Sequence, residues 1–277
     1  MLGNIFKQRL TPLLKVLDST TETLNVVNHC CAKMREEMLL NFVPAEQWDI
    51  FNQRVFTRTR LYRGKSYNSD LHQWEKEIVM KYFPDLPARV LVTACGGGRE
   101  MTYLARMGYS VAGFDISKKL LDNTESLISN EKLLGLEHLS YEKFSGIENS
   151  LDTHAPYDAI ICGWGSFSHI GSRFLQEKVL AKLRRLCPQG PIVLSWIAMA
   201  PAEGKTADFR RYLHRKGLYT TQALESRFDA ANGFVRRIET SDITGLAAAT
   251  GSKAILSPRQ DVFPHSVLLP NESSMVC

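Results

Sequence analysis

The 277-residue sequence lacks the features that mark several large classes of protein. It has no apolar run approaching the ~20 residues that a membrane-spanning helix needs. Charged residues and a proline interrupt its N-terminal segment, where a secretory signal needs an unbroken apolar core. No run of five or six lysines and arginines occurs, so the formal net charge of +5 indicates a solvated surface rather than a nucleic-acid-binding arm. We therefore expect a soluble, cytoplasmic protein that binds neither membranes nor nucleic acid.

Metal-binding and common nucleotide-binding motifs are also missing. The six cysteines form no C-x-x-C pair, and no histidine has the spacing of a zinc ligand, so free thiols and a protein without a metal are expected. The P-loop pattern G-x-x-x-x-G-K-[ST] does not occur. The dinucleotide fingerprint G-x-G-x-x-G would need a glycine three residues after Gly98, where the sequence has Met101. These absences argue against a P-loop enzyme and against NAD or FAD as cofactor.

What the sequence does contain is an apolar run that breaks into three consecutive glycines, VLVTACGGGRE at 90–100. This pattern predicts a strand, a tight loop and a helix N-terminus, which together cradle nucleotide-like ligands. Gly96 and Gly98 would let the backbone approach a ligand where a Cβ would clash. A second predicted strand ends in Asp115, seventeen residues beyond Gly98. An acid at such a strand tip can accept both ribose hydroxyls of an adenosine.

Three segments together resemble the class I S-adenosylmethionine-dependent methyltransferases: the glycine segment, GFDIS at 113–117, and YDAIICGWGSFSHI at 157–170. The resemblance covers roughly residues 60 to 240 and implies S-adenosylmethionine as cofactor. Family members usually carry an acid and a glycine where this chain has Val92 and Ala94, so one anchor for the cofactor's amino group is missing. The cofactor-binding residues that the resemblance implies are Ala94, Gly96, Gly98, Asp115, Ile116, Ser145, Gly146, Gly163 and Trp164.

Two further residues upstream are candidates to fold over the cofactor. Arg63 and Tyr67 lie in a polar, aromatic, glycine-containing turn, where a guanidinium can pair with a carboxylate through a forked contact. The alternative is an ordinary surface loop. Arg63, Tyr67 or main-chain carbonyls are also the candidates to replace the anchor missing at Val92.

His169 is the candidate catalytic residue. Its ordinary pKa near 6.5 suits it to take a proton from an oxygen or nitrogen nucleophile. The alternative is a structural histidine at a helix start, bonded to the backbone. Trp164, in the same motif, would pack on the adenine or shield the sulfonium.

Alternating strands and helices predict a Rossmann-like, doubly wound, mostly parallel sheet with an N-terminal helical extension. Residues 1–85 have helical periodicity, broken by a polar stretch that begins at Asp18, and are interpreted as a lid. Residues 86–277 form the predicted catalytic domain, with an irregular insertion at 198–218 and a helix at 221–231. The seven strands, in part implied by the resemblance, are predicted at Arg89–Thr93, Ser110–Phe114, Leu139–Phe144, Ala159–Gly163, Pro191–Trp196, Phe234–Ile238 and Ser266–Leu269.

The leading functional hypothesis is methyl transfer to an oxygen or nitrogen of a small molecule. A methyltransferase that modifies RNA or protein is the first alternative, because the insertion carries the basic set Arg210, Arg211, Arg215 and Lys216. A non-catalytic module that binds S-adenosylmethionine is the second, because of the departures at Val92 and Ala94. The sequence predicts neither the acceptor nor the oligomeric state.

Overall fold

A seven-stranded sheet lies at the centre of the computed structural model, which describes residues 2–58, 70–198, 204–229, 231–257 and 263–271. The first five strands along the chain are parallel to one another, and the last strand, β9 (His265–Pro270), is antiparallel to both of its neighbours. The order of the strands in the sheet changes direction between β1 (Arg89–Thr93) and β4 (Ala159–Cys162). Ligands bind at this point in open sheets of this kind. From one edge to the other the strands are β3 (Leu133–His138), β2 (Ser110–Asp115), β1 (Arg89–Thr93), β4 (Ala159–Cys162), β5 (Ile192–Ser195), β9 (His265–Pro270) and β8 (Ser252–Leu256).

Helices cover both faces of this sheet. The helices are α1 (Leu2–Phe42), α2 (Trp48–Arg58), α3 (Gln73–Tyr82), α4 (Arg99–Met107), α5 (Lys118–Glu125), α6 (Tyr141–Gly146), α7 (Arg173–Leu186), α8 (Gly204–Arg215), α9 (Thr221–Leu224) and α10 (Thr240–Ala249). Apolar residues of α3, α4 and α5 pack on one face, and those of α6, α7 and α10 pack on the other. Because β1 and β4 are covered on both sides, they are continuous apolar runs rather than alternating patterns.

A third apolar cluster lies apart from the two faces and includes a separate β-hairpin, β6 (Ser226–Asp229) with β7 (Gly233–Arg236). Trp48 of α2 stacks on Phe234 of β7, with ring centroids 4.8 Å apart. Leu40 of α1 and Ala223 of α9 complete the cluster. We call α1, α2, α9 and the hairpin the cap. Within the described part of the chain, no helix is both long and apolar enough to cross a membrane.

The predicted fold class, a doubly wound and mostly parallel seven-stranded sheet, is confirmed. The third predicted strand, Leu139–Phe144, was wrong: β3 ends at His138, and the following segment is α6. Ser140 caps that helix by accepting the Lys143 N–H, and Tyr141 and Phe144 bury one helical face. Ser145 and Gly146 therefore lie in a helix and not in a loop.

Four other predictions about the elements were wrong. Residues 234–238 do not add a strand to the main sheet, because β7 pairs with β6 across a turn in which Gly233 has a φ of 68°. The predicted helix at 221–231 ends at Leu224. The sixth strand of the main sheet is instead β8. The insertion contains the regular helix α8, and α1 continues without a break through Asp18.

Candidate functional site

A cavity lies at the carboxyl ends of β1, β2 and β4. Its floor comes from the sheet and its roof from α2 of the cap. The residues that line it are Asp49, Asn52, Phe56, Ala94, Cys95, Gly96, Glu100, Phe114, Asp115, Ile116, Leu120, Leu139, Ser140, Tyr141, Trp164, Ser166 and His169.

The glycine loop between β1 and α4 forms part of the floor. Gly96 and Gly98 have φ values of 54° and 87°, in the left-handed region that favours glycine. A Cβ at Gly98 would lie 2.7 Å from the Thr124 side chain, whereas a Cβ at Gly96 would meet no protein atom within 4 Å. Because Gly96 lines the cavity, its missing side chain leaves space beside the backbone that a ligand can occupy. The hydroxyl of Thr124 holds the loop by donating to the Gly96 carbonyl at 3.0 Å.

Asp115, at the end of β2, is buried and held by main-chain donors. Its Oδ2 accepts the Gly96 N–H at 2.9 Å, and its Oδ1 accepts the Ser117 N–H at 2.8 Å. Burial raises the pKa of this carboxyl to about 6, although both N–H donors act to lower it. The carboxylate is therefore fixed in orientation at the point where the predicted ribose site lies.

The turn after β4 presents Trp164 to the cavity. Trp164 has a φ of 50°, a conformation that is costly for a residue with a Cβ. It stacks on His72 with centroids 4.8 Å apart, and the Arg99 guanidinium lies 5.1 Å from its ring. Ser195, at the end of β5, anchors the turn by accepting the Gly165 N–H at 2.8 Å. Strain at a cavity-lining aromatic residue is typical of a ligand-contacting position.

His169 lies on a one-turn helix at Phe167–His169 and lines the cavity. Its Nδ1 is 2.9 Å from the Phe234 carbonyl oxygen. The Phe56 ring of α2 packs edge-on against the imidazole, with ring centroids 5.1 Å apart. Because a carbonyl oxygen only accepts, Nδ1 must carry the proton. In the neutral ring Nε2 is then the basic nitrogen.

Helix α2 is tied to both sides of the cavity. Asn52 exchanges two hydrogen bonds with Phe234: its Oδ1 accepts the N–H at 2.7 Å, and its Nδ2 donates to the carbonyl at 3.3 Å. On the opposite side Gln53 donates to the Ile116 carbonyl at 3.0 Å. Asp49, in the first turn, faces Ser140, and burial raises its pKa. The cap thus contributes polar groups to the site as well as covering it.

Glu100 is buried in the cavity wall at the start of α4. Its Oε1 accepts from Arg99 at 2.6 Å, and Arg99 also makes a two-pronged ion pair with Glu75 of α3, at 2.5 and 2.7 Å. Gly163, at the end of β4, packs against this carboxylate: a Cβ there would lie 2.6 Å from Oε1.

The charged groups that line the cavity are acidic. Asp49, Glu100 and Asp115 contribute carboxylates, whereas no lysine or arginine is among the lining residues of the described chain. Such a wall favours a ligand with positive charge and hydroxyl donors. The described residues contain no group of three or more His, Cys, Asp or Glu that could hold a metal ion.

Of the twelve site residues proposed from the sequence, six line this cavity. They are Ala94, Gly96, Asp115, Ile116, Trp164 and His169; Gly98 and Gly163 are not lining residues but pack against Thr124 and Glu100, respectively. Ser145 and Gly146 are not among the lining residues; Ser140 and Tyr141, nearer the end of β3, line it instead. Arg63 and Tyr67 lie outside the described residues. Sequence reasoning missed the lining residues Asp49, Asn52 and Phe56, because nothing in the local pattern of α2 shows which face covers the sheet.

The comparisons with known proteins agree with this geometry. Residues 90–190 match a family model described as a methyltransferase domain. The structure is similar to 1,6-didemethyltoxoflavin-N1-methyltransferase from Burkholderia thailandensis, with a TM-score of 0.55 and 13% identity, over 83% of this chain and 92% of that chain. A similar structure is that of an amino pentose methyltransferase from Micromonospora echinaspora, with a TM-score of 0.52 and 14% identity, over 76% of this chain and 94% of that chain.

The sugar N-methyltransferase from Streptoalloteichus sp ATCC 53650 is also similar, with a TM-score of 0.53 and 15% identity, over 76% of this chain and 91% of that chain. At these identities the structural likeness shows the fold. No curated protein matches the sequence. The family match lies on the glycine loop, on Asp115 and on the turn after β4, which are the segments that carried the resemblance. Residues 90–190 therefore match a methyltransferase domain, and the fold is shared with a methyltransferase whose structure contains S-adenosylmethionine.

Proposed function

We propose that this protein transfers a methyl group from S-adenosylmethionine to an oxygen or nitrogen atom of a small molecule, in the cavity between the sheet and α2. The observation that carries this proposal is Asp115, buried beside the glycine loop with both oxygens oriented by main-chain N–H groups. Its carboxylate accepts the ribose hydroxyls, and the space beside Gly96 admits the sulfur-bearing chain. The acidic wall matches the net positive charge of the methyl donor.

The chain's own residues align the reactants and manage one proton. When bound, S-adenosylmethionine supplies an electrophilic methyl group. His169 Nε2 would take the proton that the acceptor oxygen or nitrogen loses when it is methylated. The Phe234 carbonyl holds Nδ1–H in place, so the ring stays oriented in the neutral and the protonated forms. Alignment of the two reactants supplies up to about 7–11 kcal/mol of barrier reduction.

The acceptor binds at the aromatic end of the cavity, beside Phe56, Trp164 and His169. Residues 1–85 act as a lid on the catalytic domain 86–277, because α2 supplies the roof over this end. A small, partly apolar acceptor suits walls of this kind. The similar proteins named above are, by their descriptions, methyltransferases of a toxoflavin precursor, of an amino pentose and of a sugar nitrogen.

An RNA acceptor is less well supported, because the basic residues of the insertion are partly used within the fold. Arg210 of α8 pairs with Glu37 of α1, which also accepts from the Tyr219 hydroxyl at 2.6 Å. Arg211 pairs with Asp208 at 2.6 Å. Two of these cations, Arg210 and Arg211, are thus partnered by acids, which weakens the basic patch that RNA retention would need.

Calorimetric titration of the purified protein with S-adenosylmethionine and S-adenosylhomocysteine tests the cofactor, with NADH as the control ligand and Asp115→Ala as the control variant. We expect micromolar binding of both adenosyl ligands, weakened by the substitution, and none of NADH. No binding of either adenosyl ligand would refute the proposal.

Formation of S-adenosylhomocysteine with a panel of small alcohols, phenols and amines then tests turnover. We expect product with at least one acceptor class. Tight cofactor binding without turnover across the panel would instead favour the non-catalytic module, and retention of RNA at low salt would favour a macromolecular acceptor.

A further inference from the structure

The ion cluster at the start of α4 carries an unbalanced charge. Glu75, Arg99 and Glu100 are 3%, 2% and 4% exposed, so all three are shielded from solvent. Two carboxylates face one guanidinium, which leaves one excess negative charge when both acids are ionised. Burying an unpaired charge is costly unless a partner of opposite sign is supplied.

Among the residues that the structure describes, the neighbouring groups do not supply the missing cation. Burial and the charge of Arg99 lower the pKa of His72, so this ring is neutral at neutral pH. Lys76 is committed to Asp70 at 2.6 Å. Burial raises the pKa of the Cys95 thiol well above its usual value, so it is neutral as well. Burial raises the pKa of Glu100 itself; the charge of Arg99 opposes this rise, and the charge of Glu75 adds to it.

The excess charge faces the cavity through Glu100. Glu75 lies behind Arg99 on α3 and is not a lining residue, whereas Glu100 is. Its carboxylate lies against Gly163 at the end of β4, while Asp115 ends β2, two strands away. Neighbouring strands are about 4.8 Å apart, so the strand ends beside Glu100 and at Asp115 are separated by roughly 10 Å. A ligand with its ribose at Asp115 can extend its amino-acid chain toward Glu100.

Val92 cannot provide the acid that relatives have at this place in the motif. It is 1% exposed and belongs to the apolar cluster under α3 and α4. The excess carboxylate next to the glycine loop therefore comes from the helix start instead of the strand.

We propose that Glu100 binds the α-ammonium group of the cofactor's methionine portion and so replaces the acid absent at Val92. This inference rests on the proposed function. Arg99 and Glu75 act as positioning residues, because their two-pronged pair leaves Arg99 in contact with Glu100 Oε1. Gly163 leaves room for the carboxylate.

The test compares two ligands that differ only at the amino-acid end. S-adenosylhomocysteine carries the ammonium group, and 5′-methylthioadenosine has the same adenosine and sulfur but no amino acid. In Glu100→Gln we expect the affinity for S-adenosylhomocysteine to fall roughly 10- to 100-fold, since a charge-assisted hydrogen bond is lost. The affinity for 5′-methylthioadenosine should change less than about threefold.

Two control variants distinguish a direct contact with the ammonium group from a general effect on binding. Asp115→Asn should weaken both ligands by a similar factor, because both contain the ribose. Glu77→Gln, at an exposed carboxylate on α3, should weaken neither. If Glu100→Gln weakens both ligands equally, Glu100 acts through the fold and the inference is overturned, while the proposed function stands. If the unaltered protein binds neither ligand, the proposed function itself fails.

A second variant covers the case in which Glu100→Gln does not fold. Glu100→Asp keeps the charge but withdraws it by one methylene. We expect this variant to reduce the ratio of the two affinities only partly. An unchanged ratio in a folded Glu100→Asp protein would overturn the assignment.

Discussion

Cofactor binding should depend on pH through Asp115. Burial raises the pKa of this carboxyl to about 6 in the unliganded protein. The ribose hydroxyls need the ionised form as their acceptor, so the ligand binds the carboxylate and releases any proton it carries. Affinity should therefore be complete above the raised pKa and should be lost as the pH falls through it.

The expected size follows from the ionised fraction. With a pKa of about 6, roughly 90% of Asp115 is ionised at pH 7 and roughly 10% at pH 5. The dissociation constant should rise about tenfold over that interval. At pH 6 each binding event should release about half a proton.

Calorimetry with 5′-methylthioadenosine measures both quantities, when the titration is repeated in buffers of different ionisation enthalpy. This ligand avoids the amino-acid end, where Glu100 also titrates. Asp115→Asn should bind weakly, with an affinity that is flat between pH 5 and pH 7. An unaltered protein with equal affinity at pH 5 and pH 7 would refute the reasoning, and a slope retained in the variant would assign the titration to another group, such as Asp49.

Three further outcomes are expected. His169→Gln should lower kcat about 10²- to 10⁴-fold while leaving the affinity for S-adenosylhomocysteine nearly unchanged, and equal kcat values would remove His169 from the proton transfer. Ala94→Gly should raise the free energy of unfolding by about 0.5–1 kcal/mol in urea titration, since Ala94 has a φ of 47°; a loss of stability would contradict this. Asn52→Ala leaves the Phe234 N–H without its acceptor and should cost about 1–3 kcal/mol of stability. It should also lower kcat more than it changes the KM for S-adenosylmethionine, because the same peptide segment holds His169.

The backbone parts of the site could be predicted from the sequence because they obey local rules. Three glycines after an apolar run specify a loop in which positive φ angles carry no penalty, and an acid that ends the next strand must lie at the same edge of a parallel sheet. Gly96 and Asp115 accordingly meet, through the hydrogen bond from the Gly96 N–H to Oδ2.

Other elements were missed because tertiary pairing decided them. The segment 139–144 has enough apolar residues for a strand, but a Ser140 cap and an apolar pair three residues apart fit a helix equally well. β8 is a partly exposed edge strand with a lysine, so its local signal is weak. The polar stretch at Asp18 did not end α1, because polar residues in a helix interior cost only a few tenths of a kcal/mol each, up to roughly 0.7.

The fold determines the position of one of the three acids that line the cavity, and elements particular to this chain supply the other two. The sheet determines where a strand tip lies, and that position alone carries Asp115. Glu100 comes from the first turn of α4 and Asp49 from α2 of the cap, two elements that reach the cavity only after packing. A carboxylate can therefore change its place in the sequence and still face the same ligand, if a small residue gives it room, as Gly163 does for Glu100. For this reason the absence of an acid at Val92 does not argue against cofactor binding, whereas a side chain at Gly163 would.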